Sequence, residues 1–138
     1  MNRATFRYVE SELYTYQDLC REIEDLRTDI IEGVPAADEN GGKSYEISDP
    51  AFNKAAQLVT NRRLQWMERS IKAISCVLLQ TDAQKRRLIE LKYWDGRLSN
   101  TGIAEALNIE LSTFYRWRRA VVHAVAVEMG LINAVNGK

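Results

Sequence analysis

A dense group of hydrogen-bonding side chains lies between Leu111 and Arg119, where the sequence reads LSTFYRWRR. It contains three arginines, whose planar guanidinium groups present a fork of N–H donors that fits phosphate oxygens and the edge of guanine. Serine, threonine and tyrosine hydroxyls accompany them. These residue types favour the recognition of a nucleic acid.

Helical geometry separates this stretch into two faces, because residues two or three positions apart point in different directions. If Phe114 and Trp117 point into a core, the remaining polar side chains face outward. Residues at the start of such a helix reach base edges, and later basic residues meet phosphates. Arg116 is the strongest candidate, since arginine makes paired hydrogen bonds to guanine. The candidates for base-edge contact are Ser112, Thr113, Tyr115 and Arg116, and those for phosphate contact are Arg118 and Arg119.

The stretch from Asn100 to Arg119, NTGIAEALNIELSTFYRWRR, has the spacing of a helix-turn-helix. Ala104 is the small residue required where the two helices cross. Asn108 occupies the turn position that needs a left-handed backbone, which asparagine tolerates next best after glycine. The apolar residues predicted to fill the angle between the helices are Ile103, Leu107, Ile109, Phe114 and Trp117. Basic residues that could touch flanking DNA backbone are Lys85, Arg86, Arg87 and Arg97.

A purely structural interpretation competes with this one. Helical pairs of similar spacing occur in proteins that bind no nucleic acid, and Glu105 and Glu110 oppose electrostatic attraction to DNA. Trp117 is interpreted as a core anchor rather than a stacking platform, and His123 as an ordinary helix residue.

The segments that position these residues are predicted to be helical throughout, so the fold class is all-α. Residues 1–31 form an acidic N-terminal helix, because apolar residues from Phe6 to Ile30 repeat in steps of three and four. That stripe fits either a coiled-coil seam or a core helix within one chain, and a break near Thr15 is an alternative. Residues 32–49 are predicted to be a flexible loop because they are polar and aperiodic.

Residues 50–80 are predicted to be a long middle helix, which Pro50 begins. Residues 81–132 are predicted to form the DNA-binding domain. Thr81 and Gln84 make a capping-box pattern that opens a third helix ending at Asp95-Gly96, with Leu88 and Leu91 on its buried side. Two more helices, 100–107 and 111–129, follow.

Charge is distributed unevenly, although 19 basic and 19 acidic residues cancel overall. Residues 1–49 carry 5 basic and 12 acidic side chains, and residues 50–138 carry 14 and 7. Such asymmetry points to nucleic-acid contact on the basic side. One histidine and two separated cysteines, Cys20 and Cys76, favour neither a zinc site nor a disulfide, and no cofactor is expected. Without a membrane span or signal-peptide pattern, we expect a protein of the cytoplasm.

The stretch LIELKYWDGRLSNTGIAEALNIELSTFYRWRR, from Leu88 to Arg119, resembles region 4 of the sigma-70 family, in which a helix ending in a YW-DG element precedes the helix-turn-helix. The whole chain resembles the RinA-type phage transcriptional activators, relatives of the ArpU-type regulators. This resemblance implies a non-enzymatic activator of phage late genes that binds double-stranded DNA in the bacterial host. Asn108 and the bulky Trp117 depart from the usual pattern and leave the tilt of the recognition helix open.

Three functions remain alternatives at this level. The preferred one is a sequence-specific DNA-binding transcriptional regulator, oligomeric through its long helices, with a dimer favoured. A small terminase-type packaging protein also joins a helix-turn-helix to oligomerising helices. An adaptor that binds bacterial RNA polymerase through its acidic half would touch DNA little. An enzyme is not expected, because the acidic residues follow helix-surface spacing without a metal-ligand cluster.

Overall fold

The computed structural model describes the backbone of residues 1–41 and 50–133, and the side chains of residues 1–28, 53 and 55–133. Every regular element in these ranges is helical, which confirms the all-α prediction. In the part of the chain so described, no helix is both long and apolar enough to cross a membrane. The helices are α1 (Arg3–Gly41), α2 (Pro50–Gln80), α3 (Ala83–Ile89), α4 (Asn100–Leu107) and α5 (Leu111–Glu128), and a π-helical turn (Glu90–Asp95) continues α3.

Helix α1 is longer than the sequence predicted. It shows no break at Thr15, whose hydroxyl donates to the carbonyl of Ser11 within the helix (3.0 Å). It also continues to Gly41, so residues 32–41 of the predicted loop are helical. Each residue added to an existing helix gains a backbone hydrogen bond. A helix can therefore continue through residues that show no apolar periodicity, and periodicity was the signal on which the loop prediction relied. The rest of the predicted loop, 42–49, lies outside the described residues.

The chain divides into two compact units that differ from the segments predicted along the sequence. Unit 1 comprises Met1–Gln17 and Ser70–Lys138, and unit 2 comprises Asp18–Arg69. Helices α1 and α2 each contribute to both units. The candidate interface residues of α5 belong to unit 1 together with the first turns of α1.

In unit 2, the second part of α1 packs against the first part of α2. Ile23 and Met67 are buried between them. Two ion pairs also connect the helices, Arg27 with Glu68 and Arg63 with Glu22. These pairs are exposed and therefore contribute little to stability. Burial of the apolar residues is the main attraction within this unit.

The main core of unit 1 joins α1, α2 and the second half of α5. Val9 and Leu13 of α1 and Ile74 of α2 are almost completely buried there. The contribution of α5 is its Ala- and Val-rich C-terminal half, which ends at Glu128 and is followed by Gly130 in a left-handed conformation (φ 76°). The buried residues of α5 in this core are Val121, Val122, Val125 and Ala126.

The start of α3 differs by one residue from the predicted capping box. Asp82 is the N-cap, and its carboxylate accepts a hydrogen bond from the backbone N–H of Lys85 (2.9 Å). Thr81 instead donates its hydroxyl to the carbonyl of Val77 at the end of α2 (2.5 Å). Aspartate caps a helix at least as well as threonine. The sequence therefore offered two adjacent candidates, and α3 begins after the second of them. The hydrogen bond from Lys85 lowers the pKa of Asp82.

Substitution of this cap tests the boundary. We expect Asp82→Ala to reduce the free energy of unfolding by about 1 kcal/mol at pH 7, measured by urea denaturation. Because the folded-state pKa of Asp82 lies below its ordinary value of 3.8, the charge-dependent part of this stabilisation is complete above that value. It disappears as the pH falls through the folded-state pKa. The matched variant is Thr81→Ala. If it destabilises the protein and Asp82→Ala does not, Thr81 is the N-cap, as the sequence predicted.

Candidate nucleic-acid interface

A second apolar cluster holds α3, α4 and the start of α5 together. Phe114 of α5 is completely buried in it, against Ile103 and Ala104 of α4. Ile109 and Trp117 are partly buried at its edge. The inward direction predicted for these residues is therefore confirmed. Leu88 of α3, Leu91 of the π-helical turn and Leu107 of α4 complete the cluster.

The turn between α4 and α5 depends on the backbone of Asn108. This residue is in the left-handed conformation (φ 63°, ψ 43°), as its place in the sequence predicted. It is the one non-glycine residue with positive φ among those described. Its N–H donates to the carbonyl of Glu105 (3.0 Å), and the N–H of Ile109 donates to the carbonyl of Ala104 (3.0 Å). Such paired bonds satisfy the last carbonyls of a helix and reverse the chain direction.

The first turns of α5 expose the side chains proposed for base-edge contact. Ser112, Tyr115 and Arg116 are exposed, whereas Thr113 is half-buried. Glu110 precedes the helix without a side-chain capping bond to it. Arg116 makes one long hydrogen bond to the hydroxyl of Thr113 (3.5 Å). The structure therefore brings these four residues together on one side of a helix.

The two arginines proposed for phosphate contact have different environments. Arg119 is exposed, whereas Arg118 is half-buried. The guanidinium of Arg118 lies over the ring of Phe6 (5.1 Å to its centroid) and that of Tyr115 (5.3 Å). This arrangement gives cation–π attraction on both rings. Arg118 thus connects α1 to the exposed face of α5, a contact that helical spacing alone did not predict.

All four of the flanking basic residues already have partners. Arg86 donates to the carbonyl of Leu78 in the last turn of α2 (3.1 Å) and to that of Thr81, just after the helix (3.0 Å). The other three form ion pairs, Lys85 with Asp82, Arg87 with Glu90 and Arg97 with Asp95. By contrast, none of the described carboxylates forms an ion pair with Arg116 or Arg119. Arg116 and Arg119 are therefore cations of this face that no described carboxylate neutralises.

The π-helical turn attaches the second cluster to α1. Tyr93 is buried, and its hydroxyl donates to the carboxylate of Glu10 (2.5 Å). Trp94 donates its indole N–H to the carbonyl of Leu13 (3.1 Å) and stacks on Tyr16 (ring centroids 5.5 Å apart). Burial and the contact with Glu10 raise the pKa of Tyr93, which keeps the phenol protonated as a donor. The turn therefore connects α1 to the helices that carry α5.

Two arginines near this face were missed by the sequence interpretation. Arg3 and Arg7 belong to the half of the chain classified as acidic, yet they line a cavity together with Arg118 and Arg119. One signal was present, because the first nine residues contain these two arginines and no carboxylate before Glu10. Averaging charge over residues 1–49 concealed this local excess.

Comparison with known proteins gives a family and no function. The family described as "Protein of unknown function (DUF722)" matches residues 11–127. No curated protein and no solved structure matches the chain. The matched residues include α4, the turn at Asn108 and all of the α5 face.

The left-handed turn can be tested by two substitutions at one position. Alanine at Asn108 meets the steric penalty of positive φ, so Asn108→Ala should lower the free energy of unfolding by about 1 kcal/mol. Glycine adopts this conformation freely, and Asn108→Gly should remain within about 0.5 kcal/mol of the original protein. Thermal unfolding followed by circular dichroism measures both. Equal stability of the alanine and glycine variants would contradict the observed turn.

Proposed function

The chain belongs to the DUF722 family, which is described as having unknown function, and we propose that it is a sequence-specific DNA-binding transcriptional regulator. In this proposal α4 and α5 act as a helix-turn-helix, with α5 as the recognition helix in the major groove. The α4 helix supports it near the DNA backbone.

The exposed face of α5 is the observation that carries this proposal. Full burial of Phe114 sets the rotation of the helix, and Ser112, Tyr115 and Arg116 are then exposed together. Arg116 and Arg119 form no ion pair with any described carboxylate, so their charge is free for an external anion. Elsewhere in unit 1, Arg87 pairs with Glu90 along its own helix.

Each residue of the face has a proposed role. Arg116 donates to the acceptor edge of guanine, and Ser112, Thr113 and Tyr115 contact neighbouring base edges. Arg119 binds a backbone phosphate. Arg118 lies against the ring of Tyr115, and its proposed role is to donate to a backbone phosphate as well. The role of Arg118 is thus double. It makes the phosphate contact predicted from the sequence, and it packs on the rings of Phe6 and Tyr115.

The regulatory outcome is proposed from the sequence resemblance. Region 4 of the sigma-70 family and the RinA-type activators share the helix-turn-helix pattern that begins here at Asn100. On that basis we propose activation of phage late genes, with bacterial RNA polymerase as an additional partner. The geometry of α4 and α5 supports the DNA contact only.

Removal of the free arginines tests the site. The Arg116→Ala, Arg119→Ala variant should lose at least tenfold in affinity for its preferred duplex, because one base contact and one phosphate contact disappear. Both side chains are exposed, so folding should be retained. Fluorescence anisotropy at several salt concentrations measures the affinity.

The matched control removes two cations from unit 2, Arg21→Ala with Arg62→Ala, and should bind DNA as the original protein does. Unchanged affinity of the Arg116→Ala, Arg119→Ala variant would contradict the site assignment. It would instead favour an adaptor that binds polymerase and touches DNA little.

We also propose that the protein is a dimer formed by unit 2. Leu58 and Val59 of α2 are 57% and 67% exposed, respectively, although both are large and apolar. Adjacent exposed apolar residues on a long helix fit pairing with a second copy of the chain. A dimer would present two α5 helices to two half-sites about one helical turn apart.

Light scattering coupled to chromatography tests this assembly. The original protein should have the mass of a dimer, and Leu58→Lys with Val59→Lys should have the mass of a monomer, because charges oppose close apolar packing. Their exposure allows substitution without loss of the fold. Only monomer in the original protein at high concentration would refute the dimer. A ring of many copies would support the small-terminase alternative.

A further inference from the structure

The first turns of α1 and the middle of α5 enclose a cavity of about 680 Å³. Its cationic side chains are Arg3 and Arg7 from α1 and Arg118 and Arg119 from α5. Glu10 is the one carboxylate in its lining. We call this space the arginine cavity. All of its lining residues belong to unit 1.

The arginine cavity carries an excess of positive charge among the residues that the structure describes. None of its four arginines forms an ion pair with a described carboxylate. Glu10 instead accepts the hydrogen bond from Tyr93 (2.5 Å). Like charges held close together repel, and an anion from outside the chain relieves that repulsion. Four arginines against one carboxylate therefore indicate a site for a dianionic or polyanionic ligand.

Two of the residues that line this cavity also have a buried polar atom without a hydrogen-bond partner. Among the described residues, two buried side-chain nitrogen or oxygen atoms have no hydrogen-bond partner, Nε of Arg118 and Nε2 of His123. Both side chains line the arginine cavity. Buried polar atoms without a partner are rare in folded proteins and call for an explanation. An oxyanion can accept hydrogen bonds from a guanidinium and from an imidazole N–H.

The cavity adjoins the exposed face of α5, because the two share lining residues. Arg118 and Arg119 line it, and they line a shallow groove together with Tyr115 and Arg116. Along the axis of α5, Ser112 and Arg119 are separated by about 10 Å, from a rise of about 1.5 Å per residue. An anion that extends from the α5 face can therefore reach Arg3 and Arg7. The DNA backbone is such an anion.

We propose that the arginine cavity binds a backbone phosphate of the DNA next to the base pairs that α5 contacts. Arg3 and Arg7 thereby make the first turns of α1 part of the DNA interface, although the rest of that helix is acidic. This inference rests on the proposed DNA-binding function. Helix α1 would then have two roles. It packs in the main core, and it makes a phosphate contact that is independent of DNA sequence and positions α5 on the duplex.

The test removes the two cations that α1 supplies. Arg3 and Arg7 are exposed, so the Arg3→Gln, Arg7→Gln variant should fold normally. Loss of one phosphate contact should reduce the slope of log affinity against log salt by about 0.9, and the affinity roughly tenfold at about 0.1 M salt. Preferred and unrelated duplexes should lose the same factor, because phosphate contacts carry no sequence information. The Arg21→Gln, Arg62→Gln variant is the charge-matched control.

His123 supplies an independent readout, because it is the one histidine of the chain. Its imidazole NMR signals should shift when duplex DNA is added to the original protein, and shift less in the Arg3→Gln, Arg7→Gln variant. Inorganic phosphate is titrated in parallel. A response to phosphate with no response to DNA would assign the cavity to a free phosphate ligand and overturn the proposal.

Failure of this proposal differs from failure of the proposed function. If the original protein binds DNA and the Arg3→Gln, Arg7→Gln variant keeps its affinity and salt slope, the cavity proposal is wrong and the α5 interface stands. If the original protein binds no duplex at all, both proposals are wrong.

Discussion

Burial of Phe114 is the constraint on which the proposed interface depends. Its side chain is completely enclosed by the cluster that α3, α4 and the π-helical turn form with α5. Because successive helix residues point in different directions, enclosing one large side chain sets the direction of all its neighbours. Arg116 is exposed for this reason, and Tyr115 meets the ring of Phe114 edge to face (5.4 Å). Rotation of α5 would remove both the core contact and the exposed face.

The second half of α5 packs in the main core of unit 1, so the same helix is also held against α1 and α2. Val122 and Val125 are completely buried in the main core with Val9 and Leu13 of α1. A single helix therefore joins two apolar clusters, one beneath the proposed recognition face and one beneath the first turns of α1. Arg118 lies between these clusters, with its guanidinium over Phe6 and Tyr115. This shared helix explains why cations from distant parts of the sequence meet at one cavity.

Local patterns predicted much of this structure. The turn at Asn108 and the inward directions of Phe114 and Trp117 follow from rules that act within a few residues, namely backbone sterics and helical period. The contacts of Arg118 and the cavity at Arg3 depend on the packing of α1 against α5, which no local spacing records. The one-residue error at Asp82 has another cause, because two adjacent residues could cap α3 equally well. The loop prediction was wrong at residues 32–41, where α1 continues although the composition is unfavourable for a helix.

Selection of bound duplexes from a random DNA pool tests the central claim most directly. If α5 reads base edges as proposed, repeated selection should enrich one sequence, and its half-sites should contain a guanine that Arg116 contacts. The Arg116→Ala variant should then lose preference at that position while it continues to bind. A pool that remains random after selection with the original protein would contradict a sequence-specific DNA-binding function.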